Sequence, residues 1–291
     1  MKNIVVLLLV LFSLSCKTET SKLSAKSQSS LLKTYTYKTG SKPVISVHRG
    51  GKGLKHYPEN CLETLKYIND SIPAIYEIDV AKTKDNVLVL MHDNSLNRTT
   101  TGEGPIAAKT FLELNQFYLE DDYGNQTNFK IPLFKDVLIW AKKNQVILTI
   151  DIKKSVNVKD VVALIRETKA EDISIIITYD LKQALAANQA APDLLLSVSC
   201  RNQEELDWLL HSKIPTQNML AFTGTRLSTK AFYKKVHKNG IKCILGTLGN
   251  LDKQAEAKGD HLYKKWVDLG ADIIATDRPF EVAKSLNIKN D

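Results

Sequence analysis

Four short clusters in this 291-residue chain bring acids, histidines and cations together: His48-Arg49-Gly50, Glu77-Ile78-Asp79, His92-Asp93 and Asp151-Ile152-Lys153. Each closes an apolar, strand-like run. Three carboxylates converging on one spot repel one another unless a cation joins them, and an all-oxygen donor set suits a hard ion such as Mg²⁺ or Ca²⁺. Two imidazoles beside such an ion can take a proton from a nucleophile and give one to a leaving alkoxide, each transfer worth roughly 10² to 10⁴ in rate. Arg49 and Lys153 would neutralise an anionic substrate. The set therefore serves metal-assisted cleavage of a phosphate ester, with Glu77, Asp79 and Asp151 as ligands and Glu59, in the loop after the first strand, offering a fourth oxygen. Taken one at a time, the clusters have blander readings: a histidine after a strand is usually structural, and Asp151 with Lys153 is an ion pair of small value. Their recurrence at four strand ends is what a polar surface would not produce.

The elements that must position these residues are strands at Val44–Val47, Ile75–Val80, Val87–Met91, Val146–Ile150, Ile173–Thr178, Leu194–Ser199, Met219–Phe222, Lys242–Leu245 and Asp272–Ala275. Helical apolar spacing fills most of the intervals, at Val158–Thr168, Leu181–Ala190, Glu204–Leu210, Lys230–Lys238 and Leu262–Leu269. Strands alternating with helices over about 250 residues predict an α/β fold, a TIM (β/α)8 barrel, whose reactive groups gather at the carboxyl ends of the strands. Alternation along a strand puts Glu77 and Asp79 on one face, and Asp151 and Lys153 on one face. Nine strands are one too many for the barrel. The surplus falls at Ile75–Met91, where Ala81–Asn86 is too short for a crossover helix: a tight turn at Lys84-Asp85 would put Glu77 opposite His92, an extended link would leave both at the same strand ends, and either way the two approach one site. Residues 94–132, rich in glycine and proline with one short helical segment at Lys109–Tyr118, read as an insertion after the third strand, lying over the barrel mouth.

Residues 1–16 read as a secretory leader: Lys2, an apolar run from Ile4 to Phe12, then Ser13-Leu14-Ser15 before Cys16. The run is too short to span a bilayer, which takes about 20 apolar residues. The end of the leader resembles a bacterial lipobox, which would lipidate Cys16 and place an exported protein on a membrane, periplasmic or at the cell surface. Residues 17–42, rich in Lys, Ser and Thr, read as a flexible tether spanning about 30 Å, and residues 43–291 as one domain. Of the net charge of +8, the leader carries +1 and the tether +5, leaving +2 on the domain. That distribution argues against nucleic-acid binding, which needs a basic face on the folded part. Cys61, Cys200 and Cys243 have no paired spacing and read as small core residues.

The motifs HRGG (48–51), YPEN (57–60), EIDV (77–80), TKDN (83–86), LMHDNSLNRTTTG (90–102), DIK (151–153) and ATDRP (275–279) together resemble the glycerophosphodiester phosphodiesterase family, in its order and over nearly the whole domain. The resemblance implies a barrel with a small insertion, a divalent metal, and hydrolysis of glycerophosphodiesters to glycerol 3-phosphate and an alcohol. It further implies His48 and His92 as the acid and base, undivided between the two roles, Glu77 and Asp79 as metal ligands, Arg49 on phosphate, and Glu59 at or near the metal. It also implies attack by a glycerol hydroxyl to give a cyclic phosphate that water opens. Asp151 stands where the family usually has glutamate, Cys61 where many members have threonine, and Ile244-Leu245-Gly246-Thr247 where a tryptophan-containing strand is common. Two alternatives accompany this reading. One is a lysophospholipase D or phosphoinositide-cleaving relative, for which Phe111, Leu112, Leu114, Phe117 and Tyr118 would line a lipid groove, although such residues more often simply pack an insertion. The other is a surface binding lipoprotein without turnover.

Overall fold

The computed structural model describes residues 29–290. The leader and Cys16 lie outside them. Nine strands form one sheet: β1 Val44–Val47, β2 Ile75–Lys82, β3 Leu88–Leu90, β4 Leu148–Ile152, β5 Ser174–Thr178, β6 Leu195–Ser199, β7 Met219–Phe222, β8 Lys242–Gly246 and β9 Ile273–Thr276. Their order is β1-β9-β8-β7-β6-β5-β4-β2-β3, and β1 also pairs with β2. Eight parallel strands thus close into a TIM barrel, with β3 hung outside it on the extended end of β2. Of the two alternatives the structure has the hairpin, but its register is Val80 with Leu90 and its pairing stops there. Met91 N–H donates to the Asp79 carbonyl at 2.9 Å, so Asp79 rather than Glu77 lies beside the His92 segment.

The helices are α1 Ser30–Thr34, α2 Leu62–Asn69, α3 Phe111–Leu114, α4 Phe134–Lys143, α5 Val158–Thr168, α6 Leu181–Ala190, α7 Gln203–Leu210, α8 Lys230–Lys238, α9 Asn250–Lys258, α10 His261–Leu269 and α11 Pro279–Leu286. Those covering β5 to β8 begin where the sequence supplies a side-chain cap. Asn157, Asp180, Asn202 and Thr229 each accept a backbone N–H of the first turn of α5, α6, α7 and α8. In α5 the spacing of Val161, Val162 and Ile165 turns one apolar stripe to the sheet.

Strand alternation divides the apolar residues into two cores. Tyr76, Ile78 and Val80 of β2 face outward into the layer between sheet and helices. Ile75, Ile175, Leu195, Leu220, Ile244 and Ile273 face inward and fill the lower barrel.

That inner core corrects the expected tether. Leu31, Leu32 and Tyr35 join it at 3–5% exposure, and burying side chains of this size stabilises by about 1.5–3 kcal/mol each. The segment is also tied down by polar bonds. Ser30 N–H donates to Asp172 Oδ1 at 2.6 Å, Tyr37 N–H donates to the Gly240 carbonyl at 2.8 Å, and the Tyr37 ring stacks on His237 at 3.8 Å. Residues 29–37 are therefore a plug on the barrel floor. Residues 17–28 of the expected tether lie outside the described residues.

The insertion differs from expectation as well. Its Leu96, Ile106, Leu114, Leu119 and Ile131 build a satellite core with Cys61, Ala81, Val89 and Met91, beside the barrel rather than over it. Phe111 and Phe117 pack against that core, Leu112 is 74% exposed, and Lys130 sits 3.4 Å above the Tyr118 ring, so Phe111, Leu114 and Phe117 pack the insertion. The helix expected at Lys109–Tyr118 is only the single turn α3, closed by a capping box between Thr110 and Glu113. Cys61, Cys200 and Cys243 are free and buried.

Candidate active site

The inward positions of β2 and β4 turn from apolar to charged toward their carboxyl ends. Register pairs Glu77 with Thr149 and Asp79 with Asp151, which sets the acids side by side. Oxygens of Glu77, Asp79 and Asp151 all lie within 4.8 Å of one another. Lys153 Nζ reaches Asp79 Oδ1 at 2.5 Å and Asp151 Oδ2 at 2.8 Å. Asn60 clamps Asp79 from the other side, its amide donating to Oδ2 at 2.7 Å and its carbonyl oxygen accepting the Asp79 N–H at 2.9 Å.

Burial, reinforced by Asp79 and Asp151, raises the Glu77 carboxyl well above the usual carboxylate range. Burial likewise raises Asp151, against the pull of Lys153. For Asp79 burial is outweighed by Lys153, Asn60 and His92, and its carboxyl stays below the ordinary value. Three carboxylates facing one ammonium leave two negative charges uncompensated. Asp151 Oδ1 is buried without a close hydrogen-bond partner, the Tyr179 hydroxyl being the group that faces this carboxylate. Such an oxygen in an all-carboxylate set with this charge fits a divalent cation with hard-ligand preference, and Glu77, Asp79 and Asp151 are the residues that would hold it.

Both histidines stand on the rim of the same site. His48 Nδ1 bonds Asp277 Oδ1 at 2.6 Å, and His92 Nδ1 bonds Asp93 Oδ1 at 2.7 Å. In each ring the remaining nitrogen, Nε2, is free for a substrate, and an aspartate fixes the ring's orientation as a carboxylate does in a hydrolytic triad. Asp277 is itself set by the buried Asp252, which accepts from the Asp277 N–H at 2.8 Å and from the Thr276 hydroxyl at 2.9 Å.

Arg49 occupies the left-handed region, with φ 50 and ψ 33, a conformation that costs a non-glycine residue about 1–3 kcal/mol. Two bonds hold it there: its N–H donates to Glu77 Oε2 at 2.6 Å, and its carbonyl accepts the Asn60 N–H at 2.7 Å. Close packing sets the next turn, since a Cβ on Gly51 (φ 126) would lie 2.5 Å from Thr64 Cγ2.

Glu59 corrects an expectation. It lies outside the acid cluster, and both its oxygens accept from Arg49 Nη1 at 3.2 Å, while Arg98 reaches them at 2.6 and 3.1 Å. Its two oxygens hold the guanidinium groups of Arg49 and Arg98. Lys153, expected on phosphate, is engaged with two of the acids.

The two histidines and the three clustered acids border a cavity of 310 Å³ in the barrel mouth. His48, Glu77, Asp79, His92 and Asp151 come from the β1–β4 side, and Ile177, Ser197, Ser199, Phe222, Thr225 and Ile244 from the β5–β8 side. No residue of 94–132 lines it. The motif clusters did not reveal Asp277, Asn60 and Arg98 as partners of the site. All three lie inside motifs quoted above, Asn60 in YPEN, Arg98 in LMHDNSLNRTTTG and Asp277 in ATDRP, and Asp277 also directly follows the last strand.

The sequence pattern of the Glycerophosphoryl diester phosphodiesterase family matches residues 48–281. A glycerophosphodiester phosphodiesterase of Caldanaerobacter subterraneus subsp. tengcongensis is 23% identical over 244 residues, which are 82% of this chain and 95% of that protein. The crystal structure of a glycerophosphoryl diester phosphodiesterase from Parabacteroides distasonis superposes with a TM-score of 0.80 at 33% identity, covering 88% of this chain and 90% of that one. A phosphodiesterase from Oleispira antarctica, solved in complex with the product sn-glycerol-3-phosphate, shares the fold with a TM-score of 0.65 at 18% identity, over 84% of this chain and 97% of that one.

Proposed function

This chain belongs to the glycerophosphoryl diester phosphodiesterase family, and we propose that it hydrolyses glycerophosphodiesters to glycerol 3-phosphate and an alcohol with His48 and His92 as its acid–base pair and a divalent cation, Mg²⁺ or Ca²⁺, on Glu77, Asp79 and Asp151. The observation that carries this reading is the convergence of two carboxylate-oriented imidazoles and three carboxylates on one 310 Å³ cavity.

A cation bound there would supply positive charge to the phosphoryl oxygens. The chain's own residues do the rest. One imidazole accepts the proton of the attacking hydroxyl at Nε2 while the other delivers one to the departing alkoxide, and Asp277 and Asp93 keep both rings in place throughout. A hydroxyl of the substrate's own glycerol, next to the phosphorus, is the first nucleophile in this scheme, with water following. Arg49, its backbone pinned by Glu77 and Asn60 and its Nη1 resting on Glu59, is the cation this scheme assigns to the phosphoryl group. Ile177, Phe222 and Ile244 give the carbon skeleton an apolar wall, and Ser197 and Ser199 offer hydroxyls to its oxygens.

The leader pattern ending at Cys16 supports an exported protein held to a membrane by lipid on that cysteine. No helix of the described residues is long and apolar enough to cross a membrane.

The test is product analysis with glycerophosphocholine, glycerophosphoethanolamine and glycerophosphoinositol, in Mg²⁺, Ca²⁺ or chelator. Wild type should release glycerol 3-phosphate, and His48→Ala and His92→Ala should not, with unchanged circular dichroism. Full activity in both variants would defeat the assignment.

A further inference from the structure

Arg98 is the one cation that the insertion sends toward the site, and its guanidinium is shared between the supports of two different active-site groups. Its Nε donates to Asp93 Oδ2 at 2.6 Å, and the other oxygen of that carboxylate holds His92. Its Nη2 donates to Glu59 Oε1 at 2.6 Å and its Nη1 to Glu59 Oε2 at 3.1 Å, and the same two oxygens hold Arg49. A fourth, longer bond of 3.3 Å runs to Asp122 within the insertion. The result is a continuous chain of charge-assisted bonds, Arg49–Glu59–Arg98–Asp93–His92. Only a planar fork can serve Asp93 along one edge and Glu59 along another, so lysine is not its equivalent here.

We propose that Arg98 is a positioning residue for the reaction: it fixes the aspartate that aims His92 and relieves Glu59 so that Arg49 remains available to the phosphoryl group. The Glu59 side chain is 2% exposed and must keep a cationic partner. Without Arg98 it would take the Arg49 guanidinium fully to itself, while Asp93, tied to the rest of the protein on one side only, would let the His92 ring turn. The insertion is built to hold Arg98 still. Asp121 accepts the His56 N–H and Asp122 accepts the Gly53 N–H, both at 2.6 Å, which fastens the insertion to the loop between Arg49 and Glu59. In this arrangement residues 94–132 act as a clasp that locks two catalytic loops together and not as a cover over the cavity.

The proposal rests on the assignment of His92 and Arg49 above, and its test has one arm that does not use turnover. With glycerophosphocholine as substrate, Arg98→Gln should lower kcat by about 10²-fold, the scale of a catalytic group displaced by an ångström, with KM near that of wild type. Arg98→Lys should recover part of kcat, because one ammonium can satisfy either Glu59 or Asp93. Asp93→Asn breaks the same chain, so the double variant Arg98→Gln/Asp93→Asn should be no slower than the worse single one. Independently of activity, the proton shared by His92 Nδ1 and Asp93 should give a protected downfield NMR resonance in wild type that broadens away in Arg98→Gln and survives in Asp122→Asn. Loss of the resonance without hydrolysis by wild type would uphold the positioning and strike the proposed function instead. The inference is overturned if Arg98→Gln keeps both kcat and the resonance, if its loss lies in KM or in the folded fraction alone, or if the two substitutions are additive. Should Arg98→Gln not fold, Arg98→Lys paired with Asp93→Asn carries the same comparison.

Discussion

Removing divalent cations should lower the melting temperature of the wild-type protein by about 5–10 °C, and Glu77→Gln should erase most of that difference. The magnitude follows from the site. Three carboxylates within 4.8 Å and one ammonium leave two negative charges to be neutralised, and one buried oxygen of Asp151 has no close hydrogen-bond partner. A ligand that binds only the folded state at 100 times its dissociation constant adds about 2.7 kcal/mol, and in a domain of this size each kcal/mol moves the midpoint by roughly 2–4 °C. The sign with pH is fixed by Glu77 and Asp151, whose folded-state carboxyls are raised. Their contribution to the cation-free protein is fully present below the unfolded carboxylate pKa and is lost as pH rises through the folded values. The cation-free protein therefore gives up stability toward neutral pH, where the cation binds best because protons no longer compete for the oxygens. The gap between the loaded and stripped melting curves should widen with rising pH across the window above the ordinary carboxylate value. In Glu77→Gln one ionisation is gone, so the stripped variant should melt above stripped wild type at neutral pH while responding weakly to the ion. Differential scanning fluorimetry with chelator, Mg²⁺ and Ca²⁺ across that window measures all of this. Superimposable curves with and without the ion at every pH, or an undiminished shift in Glu77→Gln, would refute the reasoning.

Three further outcomes follow from single contacts. Asp277→Asn should reduce kcat by at least about 10²-fold, because an amide facing Nδ1 favours the wrong ring tautomer; steady-state rates with unchanged melting would confirm it, and a loss below twofold would not be compatible with His48 in the reaction. Leu31→Ala should cost about 2–3 kcal/mol by urea denaturation, as for other buried leucines, whereas a truly free tether would show no change. Gly51→Ala places a Cβ 2.5 Å from Thr64 Cγ2 and 2.7 Å from Ile68 Cδ1 at φ 126; it should lose about 1–3 kcal/mol and disturb the neighbouring Arg49 turn, read as a joint fall in melting temperature and kcat.

The barrel and most of its site were legible because strands that are buried on both faces must be written as apolar runs, and the reactive residues interrupt those runs at one end only. Glu77, Asp79 and Asp151 were found from that interruption and from the two-residue period. Glu59 shows where the method stops. In sequence it is one more acid near the mouth, and only Arg98, 39 positions away, decides that its oxygens hold guanidinium groups. The plug was missed for a different reason: Leu31, Leu32 and Tyr35 are diluted among lysines, serines and threonines, and composition averaged over residues 17–42 conceals three apolar side chains that share one face of a single turn. The insertion's position in space was not legible, because nothing local indicates that Leu96, Ile106 and Leu119 pack against β2 and β3 beside the barrel.

The barrel interior explains why such a site can be maintained. Several costly features lie in its upper part: two raised carboxyls, a buried Asp151 oxygen and a left-handed arginine. The lower part is mainly apolar, with Lys242 buried over the Tyr35 ring, and is sealed by a segment that contributes no catalytic group, so Leu31, Leu32 and Tyr35 offset from below what the acids cost from above. The two layers meet within single strands, with Ile75 and Glu77 separated by one residue on β2. A one-residue slip of β2 would therefore expose the apolar floor and bury the acids against the helices together, which makes the strand register that builds the core also the register that aims the carboxylates.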